Sequence, residues 1–334
     1  MFPKAPAEVG QLVFDSASIV NNVRLFAIFP SSYVPIFSKL SPTFGSKLMM
    51  NLGHISGPSL LLVCLGVCGC ATTGGSDSMP AHDNMDAVVW LQTSTEYAAV
   101  AAGVYATATA ALEEIAKTEA GRTDRMAIVL DIDETVLDNS RYQAQLVFDD
   151  MTYEGGTWDQ WIALRAAPAV PGVVAFIRTS QALGFHVAFI TNRACRARPD
   201  TADDCPQKAD TLVNLEEIGV DTKSTTLFLK GERPADRCRV LLSAAERADG
   251  KWSSDKTSRR ECVRLDHDIV MLFGDQLGDF TEEQGGSSGE SGRDIAAEFD
   301  EHWGKTWFML PNPTYGGWRP GTFPEKRSLI RGLD

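Results

Sequence analysis

The chain has 334 residues, of which 44 % are hydrophobic and 22 % charged, with a net charge of −13. That excludes a disordered polymer and leaves room for one large α/β domain with additions. Beyond residue 70 there are 27 basic against 42 acidic side chains. Such a surface repels nucleic-acid backbones, so a nucleic-acid polymer is not an expected partner, and any phosphate site must be built locally.

The first distinctive segment is a leader. Residues 48–76 contain no Asp, Glu, Lys or Arg, Lys39 and Lys47 lie upstream, and Ser59–Cys70 is a short apolar run ending in small residues. This is the pattern of a secretory signal, and it is shorter than the ~20 apolar residues of a membrane span. Val67-Cys-Gly-Cys70 resembles a bacterial lipobox, which makes Cys70 the expected lipidation site and places the chain on the periplasmic side of the outer membrane. Cleavage and release into the periplasm is the alternative. Membrane contact is expected only through a lipid anchor. A start near Met49 or Met50 would make residues 1–48 a mis-assigned extension, although it would leave only His54 as a cationic candidate. Residues 71–84 read as a flexible tether, and 85–334 as the folded domain.

Residues 85–118 carry apolar side chains at three- and four-residue steps, which predicts an Ala-rich helix ending at Gly121. Four short apolar runs follow: Met126–Leu130, His186–Ile190, Thr226–Leu229 and Ile269–Phe273. Between them, Pro171–Leu183 and Gln207–Ile218 read as helices closed by Gly184 and Gly219. Strands alternating with helices predict a parallel sheet with helices on both faces, and such sheets bind ligands at the strands' carboxyl ends. Polar clusters stand at all four of those ends. Arg233–Lys251 reads as a charged surface insertion and Thr281–Arg293 as a polar Gly/Ser loop.

The clusters fit phosphoryl transfer. Asp131 and Asp133 are two apart, so one carboxylate can attack phosphorus and the other can protonate the leaving oxygen. Asp275 can help hold Mg²⁺, a hard cation suited to carboxylates. Thr191 and its neighbour Asn192 offer polar groups to the phosphoryl oxygens, and Lys230 a fixed charge. His82, His186, His267 and His302 lie outside these clusters.

Ile128-Val-Leu-Asp-Ile-Asp-Glu-Thr-Val-Leu-Asp-Asn-Ser140, Ile190-Thr-Asn-Arg193, Leu227-Phe-Leu-Lys230 and Gly274-Asp-Gln-Leu-Gly-Asp-Phe280 resemble the haloacid dehalogenase (HAD) superfamily. Within it they look like the class C bacterial acid phosphatases, the lipoprotein 5′-nucleotidase group. Trp90–Tyr97, Trp158-Asp-Gln-Trp161 and Pro311–Gly316 look like the same group. The resemblance implies a HAD-type Rossmann-like α/β fold, a homodimer, and Mg²⁺-dependent hydrolysis of phosphomonoesters such as nucleoside monophosphates or nicotinamide mononucleotide. It implies Asp131 as the nucleophile forming a phosphoaspartate and Asp133 as the acid/base, its backbone carbonyl ligating the metal. It further implies Asp275 as a metal ligand and Asp279 as support for the metal's water shell. Thr191 and Lys230 match the phosphate-binding hydroxyl and lysine, and Trp158 and Tyr315 the aromatics that clamp a base. A non-enzymatic lipoprotein using the same fold as a binding scaffold is the alternative, and the intact carboxylate set argues against it.

Seven cysteines are present. Cys195, Cys205, Cys238 and Cys262 lie in the expected domain, and sequence proximity favours the pairs 195–205 and 238–262 in an oxidising compartment.

Overall fold

A computed structural model describes residues 82–333 except 200 and 282–289. All of these belong to one compact unit, Gly74–Asp334. The leader, the lipobox with Cys70, and nearly all of the tether lie outside the described residues.

Five parallel strands form one sheet in the order β3-β2-β1-β4-β5. They are β1 (Met126–Leu130), β2 (His186–Ala194), β3 (Thr225–Lys230), β4 (Asp268–Gly274) and β5 (Trp307–Met309). Every residue of β1 is buried, which explains its unbroken Met-Ala-Ile-Val-Leu run. A central parallel strand covered on both faces has no polar side to alternate with. Met126, Ile128 and Leu130 pack into the larger core cluster with Tyr105, Leu112 and Phe273. Ala127 and Val129 pack on the other face with Ala188, Ile190, Leu272 and Phe280. The strand order reverses beside β1, so the carboxyl ends of β1 and β4 sit at the sheet's switch point, where a crevice opens.

The helices before β2 are α1 (Met85–Thr93), α2 (Thr95–Thr118), α3 (Ser140–Phe148), α4 (Gly155–Leu164) and α5 (Val173–Ala182). After it come α6 (Pro206–Glu217), α7 (Ala244–Asp249), α8 (Thr257–Arg264), α9 (Glu290–Glu298) and α10 (Phe323–Leu329). The single helix expected over 85–118 is two. Ser94 is extended, and its side chain accepts from the Tyr97 amide, so it caps α2 and breaks the run. The helix expected from Pro171 begins at Val173, because Gly172 takes a left-handed conformation at φ +92° where the Tyr105 side chain crowds it. β5 was not expected from the sequence. It has three residues, too few for a pattern.

The insertion after β3 is more than a charged surface. Cys238, Leu242, Trp252 and Cys262 bury a small core of their own. Cys238 is bonded to Cys262 and Cys195 to Cys205, with Cα separations of 5.4 and 4.4 Å. Glu290–Arg293, expected in a loop, opens α9, while 282–289 lie outside the described residues.

Glu246 organises the insertion. Ser243 and Glu246 form a capping box on α7. The buried carboxylate accepts from the amides of Ser243 and Ser253 at 2.8 and 2.9 Å. It also accepts from the Ser253 and Ser258 hydroxyls at 3.0 and 2.7 Å. Burial works to raise its pKa, but these donors outweigh it and hold the carboxyl below its ordinary value. Glu246→Gln is therefore expected to cost roughly 1–3 kcal/mol in urea unfolding at neutral pH. A depressed folded pKa contributes stability that is full above the unfolded value of 4.5 and is lost as pH falls through the folded one. The gap between wild type and variant should narrow on acidification, and a gap independent of pH would exclude the carboxylate's role.

Candidate active site

β1 ends in Leu130, and the next residues form a tight loop. The Asp131 amide still donates to the Phe273 carbonyl at 3.0 Å, extending the ladder to β4 by one step. The Val136 and Leu137 amides then both return to the Ile132 carbonyl at 2.8 Å. This turn needs a left-handed residue, and Glu134 takes φ +56°. Its cost is met by buried bonds: Glu134 Oε1 accepts from the Asn139 amide at 3.0 Å, and Oε2 accepts from the Tyr315 hydroxyl. Burial first, then Asp133 and Asp275, push the Glu134 carboxyl well above its ordinary range.

Asp131 is buried, and Lys256 Nζ lies 2.5 Å from its Oδ1. The same ammonium is 2.6 Å from Asp279 Oδ1. Asp279 Oδ2 accepts from the amides of Asp275 and Gln276 at 3.1 and 3.0 Å. Asp275 Oδ2 accepts from Asn312 Nδ2 at 2.8 Å. Asp133 faces a different neighbour. Arg193 Nε and Nη2 donate to its Oδ1 at 3.0 and 2.8 Å, and Asn139 Nδ2 adds a bond of 2.9 Å. Trp161 Nε1 holds Asn139 from behind at 2.8 Å.

Carboxylate oxygens of Asp131, Asp275 and Asp279 gather within 4.8 Å of one another, all three side chains buried. Burial raises the Asp131 carboxyl to about 7, with Lys256 opposing and Asp279 and Asp133 reinforcing the rise. Asp275 is pushed well above its ordinary value by burial, then by Asp279 and Asp131. Burial also works against the Lys256 charge, but Asp131 and Asp279 outweigh it and hold the ammonium above the ordinary lysine value. Three buried carboxylates around one ammonium are under-neutralised. Oxygen donors in that state suit a hard divalent cation, so the residues present fit one.

The structure thus brings together Asp131, Asp133, Thr191, Asp275 and Asp279. Thr191 is buried, and its hydroxyl accepts from the Arg193 amide at 3.0 Å. Trp158 and Tyr315 line the same cavity, of about 970 Å³, together with Asp131, Asp133 and Lys256. Arg193 also lies over the Trp158 ring, 5.8 Å from its centroid. His82, read as lying outside the clusters, reaches this cavity too. Asn192 borders it, but its side chain is spent elsewhere: Nδ2 donates to the Ser254 carbonyl at 3.0 Å, and Oδ1 accepts from Arg259.

Lys230 is a correction. It is exposed and does not line the cavity. Strand β3 is the sheet edge, two strands from β1, and at ~4.8 Å per strand its end lies ~10 Å away. Lys256 takes the expected place, entering from the loop that leads into α8. Arg193 and Asn312 were also missed as functional residues. Arg193 had a signal, because it follows Thr191 and Asn192 at a strand end. Lys256 had little, because no apolar strand precedes it.

Residues 78–318 match the family described as HAD superfamily, subfamily IIIB (Acid phosphatase). Two glycoproteins of Glycine max are similar over part of their length. The stem 28 kDa glycoprotein is 28 % identical over 187 residues, covering 56 % of this chain and 58 % of that protein. The stem 31 kDa glycoprotein is 27 % identical over 185 residues, covering 55 % and 50 %. The chain therefore matches about half the length of these relatives. Among solved structures, the class C acid phosphatase from Bacillus anthracis with tungstate bound superposes with a TM-score of 0.59 at 28 % identity. That match covers 76 % of this chain and 99 % of that one. A second structure of the B. anthracis class C acid phosphatase gives 0.58 at the same identity and coverage. With a parallel sheet that carries its carboxylates at the switch point and a family match across 78–318, the chain belongs to the acid phosphatase subfamily IIIB of the HAD superfamily.

Proposed function

We propose that the chain is a Mg²⁺-dependent acid phosphatase that hydrolyses small phosphomonoesters through a phosphoaspartate on Asp131. The observation that carries this reading is the contact of the buried Asp131 carboxylate with Lys256, beside Asp133 and the Asp275–Asp279 pair. Asp131 and Asp275 would hold the metal together with the Asp133 carbonyl, while Asp279 anchors Lys256 and the Asp275 amide. The metal would supply positive charge where the phosphoryl charge and the nucleophile meet.

The remaining work falls to the chain's own residues. The Asp131 carboxylate attacks phosphorus as the ester oxygen leaves with a proton from Asp133. In the second step a water gives its proton to Asp133 and its oxygen to phosphorus, releasing phosphate and restoring Asp131. Lys256 and the Thr191 hydroxyl hold the phosphoryl oxygens. Arg193 and Asn139 fix the orientation of Asp133.

For the leaving group we propose nucleoside monophosphates or nicotinamide mononucleotide, with the base against Trp158 and Tyr315. Their presence in one cavity with Asp131 supports this. We further propose that the chain works outside the cytoplasm, anchored at Cys70 or released. The two disulfides support an oxidising compartment. A non-catalytic scaffold is disfavoured, because binding alone does not require a buried nucleophile paired with an acid/base two residues on.

Asp131→Asn is expected to lower kcat for p-nitrophenyl phosphate, assayed with Mg²⁺, by at least ~10³-fold. Retained turnover would refute the nucleophile. The two lysines separate cleanly. Lys256→Met should cut kcat/KM by ~10²-fold, while Lys230→Met leaves it unchanged, and the opposite ranking would restore Lys230 to the site. Trp158→Ala should weaken nucleoside monophosphates by ~1–3 kcal/mol and spare p-nitrophenyl phosphate. Equal losses on both substrates would rule out stacking.

A further inference from the structure

One buried cation has no part in the chemistry just described. Arg259, on α8, is 0 % exposed. Its Nη1 donates to the Thr191 carbonyl at 2.6 Å. Its Nη2 donates to Asn192 Oδ1 at 2.8 Å and reaches the Ser253, Ser254 and Asp255 carbonyls at 3.1, 3.3 and 3.2 Å. Asn192 returns a bond of 3.0 Å to the Ser254 carbonyl. One guanidinium therefore joins two segments. One is the end of β2 that carries Thr191; the other is the turn 253–255, and the next residue after that turn is Lys256.

None of these acceptors is a carboxylate. The Asp131, Glu246 and Asp255 carboxylates act on Arg259 only electrostatically, without a hydrogen bond, and a buried charge whose hydrogen bonds all go to uncharged oxygens is a costly arrangement, whose space an apolar side chain would fill at less expense. Burial lowers the guanidinium to about 10, so it remains a cation under acidic and neutral conditions. Arginine suits the place because its planar fork can serve acceptors on two segments at once, whereas lysine is a point charge on a flexible stem.

We propose that Arg259 is a positioning residue for the phosphate pocket: it ties the backbone at Thr191 to the turn before Lys256, and so sets the separation of the hydroxyl and the ammonium that receive the phosphoryl group. This rests on the reading of Thr191 and Lys256 as phosphate-binding groups. Groups that orient the residues in direct contact with a ligand contribute by holding geometry rather than by contact.

The test compares the full-length wild type with R259K and R259M, using orthophosphate as the probe. Both KM for p-nitrophenyl phosphate and Ki for orthophosphate are expected to rise together in R259K, on the order of 10- to 100-fold, the range for outer-layer partners. The preference between a nucleoside monophosphate and p-nitrophenyl phosphate should stay as in wild type, because the wall formed by Trp158 and Tyr315 is untouched. A folded R259K with wild-type KM and Ki overturns the proposal. Should neither arginine variant fold, Asn192→Ala removes the exposed half of the same clamp. It should raise both constants to a lesser degree, and unchanged constants there overturn the proposal equally. Calorimetric titration with orthophosphate separates the two readings. A wild type that binds orthophosphate but hydrolyses nothing refutes the phosphatase reading, and the comparison with R259K still decides this one. A wild type that binds none refutes both.

Discussion

The site depends on one ammonium placed among carboxylates that would otherwise repel one another. Lys256 reaches both Asp131 and Asp279 from a buried position. Without it, the ends of β1 and β4 would bring like charges together in a low-dielectric crevice, and desolvation would favour their protonated forms. The proposed attack by Asp131 requires its ionised form. One lysine does not suffice, since burial still lifts Asp131 to about 7 and Asp275 well above its usual range. The remaining deficit of positive charge is what makes the cluster suited to a divalent cation and then to a phosphoryl group.

That dependence explains the insertion between β3 and β4. Lys256 comes from no strand, so its backbone must be held by other means. Trp252 and the Cys238–Cys262 bridge bury a small core beneath the loop. Glu246 gathers the Ser253 amide and the Ser258 hydroxyl from either side of Lys256. A segment that looks like surface decoration in composition thus has the structure of a mount for one side chain. The second bridge, Cys195–Cys205, does comparable work beyond Arg193, whose fork holds Asp133.

The sheet and its carboxylates were legible in the sequence because both follow from local rules. A fully buried parallel strand reads as a continuous apolar run, and the first polar residues after it fall in the crevice. Asp131, Asp133, Thr191 and Asp275 were found in this way. The same rule misled at Lys230, because it says that a residue stands at a strand's end and not which strand lies at the edge. The order β3-β2-β1-β4-β5 is a property of the crossovers, to which the residues of β3 carry no pointer. Lys256 was hidden for the complementary reason: its position is fixed by tertiary packing of a loop, and its neighbours Ser253-Ser-Asp255 look like any solvated turn. β5 escaped because three residues carry no periodicity, yet it leads the chain through Asn312 to Tyr315.

The loop after β5 brings the Tyr315 side of the cavity into the same network. Asn312 donates to Asp275 and Tyr315 to Glu134, so the loop after β5 is fastened at two points to the two acidic loops. Trp161, one turn along α4 from Trp158, holds Asn139 and through it Asp133. Each aromatic wall is therefore attached to a different carboxylate. Replacing a wall residue that only packs changes fit alone, whereas replacing one attached to an acidic loop also moves that loop's carboxylates. Tyr315 is hydrogen-bonded to Glu134 and is of the second kind, whereas Trp158 meets the Asp133 network only through the Arg193 guanidinium over its ring. Under the proposed stacking role, substrate preference would therefore be more nearly separable from turnover on the Trp158 side of the cavity than on the Tyr315 side.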